Sequence, residues 1–85
     1  GVFCCTDSLA IGALAALAAA GLRVPTDVAL VGYDDVAQAA VTVPPLTTVA
    51  QPIAAMAERA LELLLGVGPP GTSLLAPRLV VRESG

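Results

Sequence analysis

Two adjacent carboxylates, Asp34 and Asp35, directly follow the apolar stretch "VALVGY" in a chain with few charged residues. A carboxylate accepts up to four hydrogen bonds, so this pair suits a ligand that offers hydroxyl or N–H donors. Aspartate is also a common turn residue, which gives the pair an ordinary structural explanation. Position alone favours neither interpretation.

A second polar pair, Thr6 and Asp7, ends the apolar stretch "VFCC" near the start of the chain. Either side chain is a good N-cap for a helix that begins here. For Asp7, capping is the favoured interpretation, since an N-cap acceptor fully explains the residue.

A strand–helix–strand unit would position both pairs. Val2–Cys5 is a short apolar strand, and Ser8–Ala20 is a helix rich in alanine and leucine that ends near Gly21. Val28–Tyr33 is a continuous apolar strand, which is typical of parallel sheets covered on both faces. Because parallel strands of a βαβ unit end at one edge, where α/β folds bind ligands, Thr6–Asp7 and Asp34–Asp35 are expected to lie there.

The rest of the chain continues the alternation of strands and helices. Val36–Val43 is expected to hold a short helix or turn followed by a short strand, and Leu46–Ala50 is expected to be another strand. Apolar residues recur at i, i+3, i+4 and i+7 from Ile53 to Leu65, which predicts an amphipathic helix. A final strand lies within Leu74–Arg82. The sequence therefore predicts an α/β fold with βαβ units of a parallel sheet.

Composition excludes several functions. Of the 85 residues, 56% are hydrophobic, yet the longest apolar run, Leu9–Ala20, is well short of the roughly 20 residues that cross a bilayer. The four arginines are scattered and the only aromatics are Phe3 and Tyr33, so the chain is not expected to bind nucleic acid by itself. The absence of histidine removes Ser-His and Cys-His catalysis and the commonest metal ligand.

The two cysteines, Cys4 and Cys5, are adjacent and lack the spacing of a zinc or redox site. They are interpreted as small buried apolar residues that fit a reducing, cytoplasmic environment. No cofactor and no metal are expected.

Several motifs resemble one family in their order and spacing. "VFCCTDSLAIG", "GLRVPTDVALVGYDD", "PPLTTVAQP" and "RLVVRES" together resemble the C-terminal part of the effector-binding domain of the LacI/GalR family of bacterial transcription regulators. The resemblance covers essentially the whole chain, and "PPLTT" followed by Gln51 is its most diagnostic stretch. Where the family typically has asparagine, this chain has Thr6.

This resemblance implies a fragment of a periplasmic-binding-protein-like (type I) fold, in which two subdomains enclose an effector in a cleft. Residues 1–51 would belong mostly to the C-terminal subdomain, and residues 52–85 would form a crossover helix and a returning strand. The family binds operator DNA through an N-terminal helix-turn-helix, which is absent from this chain, and it forms homodimers.

The resemblance also implies site residues. Asp34 matches the family's effector-contacting acid, and Thr6 matches a polar effector contact but is shorter than asparagine. Gln51 and Ile53 match positions near the cleft, although Ile53 offers no aromatic face to a sugar. Helix Ser8–Ala20 and segment Ala37–Pro45 are expected to form the dimer interface, with these candidates: Leu14, Leu17, Ala39 and Val41. One of the two leucines could instead face the sheet.

The leading hypothesis is therefore the effector-sensing and dimerisation part of a LacI-type regulator that binds a sugar or related metabolite and is not an enzyme. A periplasmic sugar-binding protein of an ABC transporter shares the fold, but "PPLTTVAQP" and two unpaired cysteines argue against it. An enzyme that uses Asp34 and Asp35 with magnesium is a distant third, because no lysine or Gly-rich phosphate loop accompanies them.

Overall fold

The computed structural model describes all residues from Gly1 to Gly85. Its elements, in chain order, are β1 (Val2–Phe3), α1 (Asp7–Ala19), β2 (Leu30–Val31), a 3₁₀ turn (Ala37–Ala40), β3 (Thr48–Ala50), α2 (Ile53–Leu65) and β4 (Arg78–Val80). The expected alternation is present, but the strands are shorter than predicted. Residues 36–43 contain the 3₁₀ turn and no strand.

Both ends of α1 are fixed by local chemistry. Thr6, and not Asp7, is the N-cap: its backbone is extended and its Oγ1 accepts the Leu9 N–H at 3.2 Å. At the other end the Leu22 N–H donates to the Leu17 carbonyl, and Gly21 has a positive φ of 75°. This is the geometry of a Schellman motif, which satisfies carbonyls that the helix end leaves unpaired.

The strands form two two-stranded sheets, β1–β2 and β3–β4, which isolated parallel bridges join in the order β1, β2, β3 and β4. β1 and β2 are parallel, with Val2 opposite Leu30. Beyond β2, the Gly32 N–H donates to the Thr47 carbonyl at 2.9 Å, so β3 lies parallel on the other side of β2. β4 then pairs antiparallel with β3. Three parallel strands therefore end at a common edge.

The core lies between α1 and this sheet. Five apolar side chains are buried in it: Ala10, Leu14, Leu30, Ala39 and Leu46. Of the predicted dimer residues, Leu14 and Ala39 are buried in this core, so Leu14 is the leucine that faces the sheet, whereas Leu17 is half-buried and Val41 is exposed. The prediction of two buried cysteines is wrong for Cys5, which is exposed, while Cys4 is half-buried.

Helix α2 projects from this body. No residue of α2 is buried, and the chain measures 54 × 17 × 16 Å. Its radius of gyration is 16.4 Å, against roughly 12 Å for a compact chain of this length. The apolar stripe of α2 is therefore solvent-exposed, with Leu64 79% exposed. None of the helices combines the length and apolarity needed to span a membrane.

We expect the 85-residue chain in isolation to self-associate. It exposes many large apolar side chains, among them Phe3, Leu64, Leu65, Leu74 and Val81, and extensive exposed apolar surface favours association. Light scattering should detect oligomers or aggregates that bind an apolar dye, and replacing Leu64 and Leu65 by lysine should reduce them. A monodisperse, cooperatively unfolding monomer without dye binding would contradict this expectation.

Candidate ligand site at the carboxyl edge of the sheet

The ends of β1, β2 and β3 lie side by side. The Asp7 N–H donates to the Tyr33 carbonyl at 2.8 Å, and the Asp34 N–H donates to the Val49 carbonyl at 2.9 Å. The residues that follow the three strands are therefore neighbours. Thr6–Asp7, Asp34–Asp35 and Gln51 meet at one edge, as parallel strands require.

The backbone at Asp34 and Asp35 adopts an unusual conformation. Their φ angles are 125° and 59°, and no other non-glycine residue of the chain has a positive φ. Aspartate tolerates the left-handed region better than most residues, but φ near 125° is costly for any side chain. Such positions cost of order 1–3 kcal/mol each and cluster at ligand sites.

Asp34 is held by a second predicted site residue. Its Oδ1 accepts a hydrogen bond from Gln51 Nε2 at 2.8 Å. One carboxylate oxygen can accept more than one hydrogen bond, and Oδ2 has no protein donor, so Asp34 retains acceptor capacity. The half-buried Asp34 is thus oriented by protein and still open to a ligand.

Asp35 has different neighbours. Its Oδ1 accepts from the Arg82 guanidinium at 2.9 Å, and both side chains are largely buried, with Arg82 20% and Asp35 25% exposed. Arg82 also donates to the Leu46 carbonyl at 2.9 Å. Asp35 is therefore tied to the segment that follows β4.

Asp7 lies beneath the edge and is completely buried. Its carboxylate accepts from Thr48 Oγ1 at 2.6 Å and from the Val36 N–H at 2.9 Å. A Cβ on Gly32 would lie only 2.3 Å from Asp7 Oδ1, so Gly32 is what admits the carboxylate here. Asp7 is thus a buried acceptor that joins α1 to β3, a role that sequence reasoning missed because Thr48 is 41 residues away.

The remaining predicted site residues flank this edge. Thr6 is half-buried, and its Oγ1 is used as the α1 cap, which leaves its hydroxyl hydrogen for a ligand. Ile53 is 60% exposed at the start of α2, two residues after Gln51. No cluster of three or more His, Cys, Asp or Glu side chains is arranged to hold a metal ion.

Two open concave surfaces lie outside Asp34, one beside Gln51 and one along α2. A cavity of about 370 Å³ touches Gln51 and is also lined by Pro52 and Arg78, and a groove of about 400 Å³ runs along α2 beside Met56 and Arg59. Neither includes Asp34. The chain by itself therefore forms no enclosed pocket around Asp34.

Comparison with known proteins agrees with this architecture. Residues 1–85 match the family described as a periplasmic binding protein-like domain. The ribose operon repressor of Haemophilus influenzae is 43% identical over 88 residues, which cover 98% of this chain and 26% of that protein. The regulator MalR of Streptomyces coelicolor is 44% identical over 88 residues, with 98% and 26% covered. The chain thus spans about a quarter of these relatives' length.

Solved structures show the same fold. The transcription regulator GntR from Chromobacterium violaceum superposes with a TM-score of 0.85 at 42% identity, over 96% of this chain and 32% of that one. The lac repressor dimer bound to operator and an anti-inducer superposes with a TM-score of 0.83 at 36% identity, over 96% and 30%. From its sequence and its fold, the chain belongs to the periplasmic binding protein-like domain family, among the LacI/GalR transcription regulators.

Proposed function

We propose that this chain is part of the effector-sensing domain of a LacI-type transcription regulator that acts in the cytoplasm. In this proposal a sugar or related metabolite binds at the carboxyl edge of the sheet and alters operator binding. The observation that carries it is Asp34, a carboxylate oriented by Gln51 on a strained backbone where three parallel strands end.

The chemistry of this edge suits a polyhydroxylated ligand. A carboxylate accepts charge-assisted hydrogen bonds from hydroxyl groups, and these are stronger than neutral ones. Thr6 and Gln51 add a hydroxyl and an amide beside Asp34, and exposed Ile53 offers an apolar contact without stacking. Together they fit a ligand that presents donors to one side.

Two solved relatives support a sugar. A structure of the regulator CelR in complex with cellobiose is 42% identical to this chain, with a TM-score of 0.83, and covers 99% of it. A LacI-family regulator from Lactobacillus casei with bound sucrose is 42% identical, with a TM-score of 0.84. A periplasmic sugar-binding protein would share the fold, but it is less well supported because the similar proteins are transcription regulators.

We further propose that residues 1–51 belong to one subdomain and that residues 52–85 provide the crossover helix and the returning strand. The segment after β4 packs back on residues 1–51. Its buried Ser84 donates to the Leu30 carbonyl at 2.6 Å and accepts the Thr47 N–H at 2.8 Å. The exposed stripe of α2 would then pack in a second subdomain, which would supply the other wall of the cleft. Operator DNA would be bound by a separate domain.

The function can be tested on the full-length regulator with an operator selected from random DNA. Operator affinity would be measured with and without D-ribose, cellobiose and sucrose. We expect at least one sugar to change operator affinity about tenfold or more, within the usual range of allosteric coupling. Sugar binding by a protein that selects no DNA sequence would favour the transporter alternative.

The dimer is expected to use the exposed part of the predicted interface. Val41 is 78% exposed and Val43 93% exposed after the 3₁₀ turn, while Leu17 of α1 is half-buried. Apolar side chains left in water suit an isologous contact with a second copy.

Replacing Val41 by aspartate should therefore give monomers that bind operator poorly, as measured by sedimentation and DNA titration of the full-length regulator. Thr26→Asp, which places the same negative charge on an exposed residue, serves as the control and should leave the dimer intact. If Val41→Asp and Leu17→Asp, each made singly, both remain dimeric, this interface is wrong.

A further inference from the structure

The Arg82 side chain joins the segment after β4 to the corner formed by Asp34 and Asp35. Its two terminal nitrogens donate to Asp35 Oδ1 and to the Leu46 carbonyl, each at 2.9 Å. Its backbone N–H donates to Thr47 Oγ1 at 2.8 Å. A planar guanidinium held at both terminal nitrogens has little freedom, so Arg82 is a rigid clamp.

The corner requires such a restraint. Asp34 and Asp35 both have positive φ, at 125° and 59°, which unrestrained L-residues avoid. Strained backbone persists only where its surroundings hold it. The Asp35 N–H reaches Thr48 Oγ1 only at 3.4 Å, a long bond that restrains it weakly. The Asp34 N–H donates to the Val49 carbonyl and the Val36 N–H to the Asp7 carboxylate, each at 2.9 Å, so the backbone is fixed on both sides of Asp35. At Asp35 itself the strong, charge-assisted contact is the one with Arg82.

The two acids also connect different parts of the chain. Asp34 holds Gln51, which lies between β3 and α2, and Asp35 holds Arg82, which follows β4. These are the two segments through which the chain leaves the sheet and returns to it. The corner is therefore fixed from both sides.

We propose that Arg82 is a positioning residue for the effector site. Through Asp35 it holds the Asp34–Asp35 corner in its strained conformation and so aims the Asp34 carboxylate at the ligand. Arg82 itself does not contact the effector. The expected effect on effector affinity rests on the proposed function, whereas the restraint of the Asp34–Asp35 corner by Arg82 does not.

The test uses the full-length regulator with Arg82→Gln, Arg82→Lys, Asp35→Asn and the double variant Arg82→Gln/Asp35→Asn. Arg23→Gln is the matched control, since it breaks an exposed pair between an arginine and an aspartate, Asp27, that lies outside the site. Amide hydrogen exchange would be followed by NMR in the unliganded protein. Affinity for D-ribose, cellobiose and sucrose would be measured by calorimetry, together with the melting temperature.

Arg82→Gln should speed exchange of the Asp34 and Asp35 amides about tenfold or more, while the Cys4 amide in the β1–β2 ladder stays protected. Affinity for whichever sugar binds should fall about tenfold, the effect of misaligning one charged hydrogen bond. Arg82→Lys should retain more of the amide protection at the corner and more of the sugar affinity than Arg82→Gln does. The double variant should lose no more affinity than the larger single loss, because both changes break one contact.

Unchanged exchange at the corner in Arg82→Gln would overturn the proposal. A purely structural role would also overturn it, and would appear as a lower melting temperature with faster exchange throughout the domain. If the wild type binds none of the three sugars, that result counts against the proposed sugar effector, and corner exchange still decides the role of Arg82.

Discussion

Replacing Gly32 by alanine is expected to lower the free energy of unfolding by about 3–5 kcal/mol, a large share of the stability of a typical domain. The added Cβ would lie 2.3 Å from Asp7 Oδ1, 3.1 Å from Leu46 Cδ2 and 3.3 Å from Ala10 Cβ. The first contact is impossible without movement, and the other two leave little space for it.

The Asp7 carboxylate cannot move without loss. It accepts hydrogen bonds from Thr48 Oγ1 and the Val36 N–H, and it is fully buried. Overpacking a core costs about 1–3 kcal/mol. Disturbing a hydrogen bond to a charged group adds about 1.5–3 kcal/mol. Both costs apply at Gly32 because its neighbour is a hydrogen-bonded carboxylate.

Urea unfolding of the effector-binding domain measures this effect, with Gly12→Ala as the matched control. Gly12 lies within α1 and a Cβ there would meet nothing within 4 Å, so this change should be neutral or stabilise by up to about 1 kcal/mol. Gly32→Ala should lower the free energy of unfolding much less when it is made in the Asp7→Ala variant than in the wild type. The oxygen that clashes with the added methyl is absent from that variant. Equal stability of Gly32→Ala and wild type would contradict this packing.

Replacing Asp34 by alanine in the full-length regulator is expected to reduce effector affinity about ten- to a hundred-fold. The change removes a charged acceptor, and hydrogen bonds to charged groups are worth about 1.5–3 kcal/mol. Operator binding without effector should survive, because Asp34 is half-buried at an edge and outside the apolar core. Calorimetric titration with the sugar that binds the wild type measures the loss.

The positive φ of Asp34 calls for a second variant, since alanine tolerates φ of 125° poorly. Asp34→Asn keeps the shape of the side chain and suits such backbone better, and it should still lose about tenfold because its acceptor is neutral. Glu83→Gln, an equal charge change at an exposed site, is the control. If Asp35→Ala abolishes binding while both Asp34 variants bind normally, the roles of the two acids are exchanged.

The elements were predictable where local signals were strong. The span of α2, Ile53–Leu65, is as predicted because Pro52 precedes it and Gly66, with φ of 70°, ends it. The meeting of Thr6 and Asp34 at one edge follows from the parallel strands β1 and β2, which are recognisable by their continuous apolar character. Gln51 is expected near them only from the family resemblance, because the strand before it contains Thr47 and Thr48.

The sequence does not predict which side of a helix faces the core, or which distant residues pair. Helix α1 is apolar nearly all round, so its periodicity could not show that Leu14 faces the core while Leu9 is 61% exposed. The bond between Arg82 and Asp35 joins residues 47 apart, which a single sequence does not reveal. Asp7 was interpreted as a cap because Thr6 and Asp7 are both good caps, and only the fold separates their roles.

A crystal structure of the full-length regulator with its bound sugar would show whether Asp34 contacts the effector. We expect ligand hydroxyl oxygens to lie within hydrogen-bond distance, about 2.5–3.0 Å, of the Asp34 carboxylate. The Asp35–Arg82 contact should remain intact beside it. A sugar bound without any contact to Asp34, for example in the groove beside Met56 and Arg59 of α2, would rule out Asp34 as the effector acid.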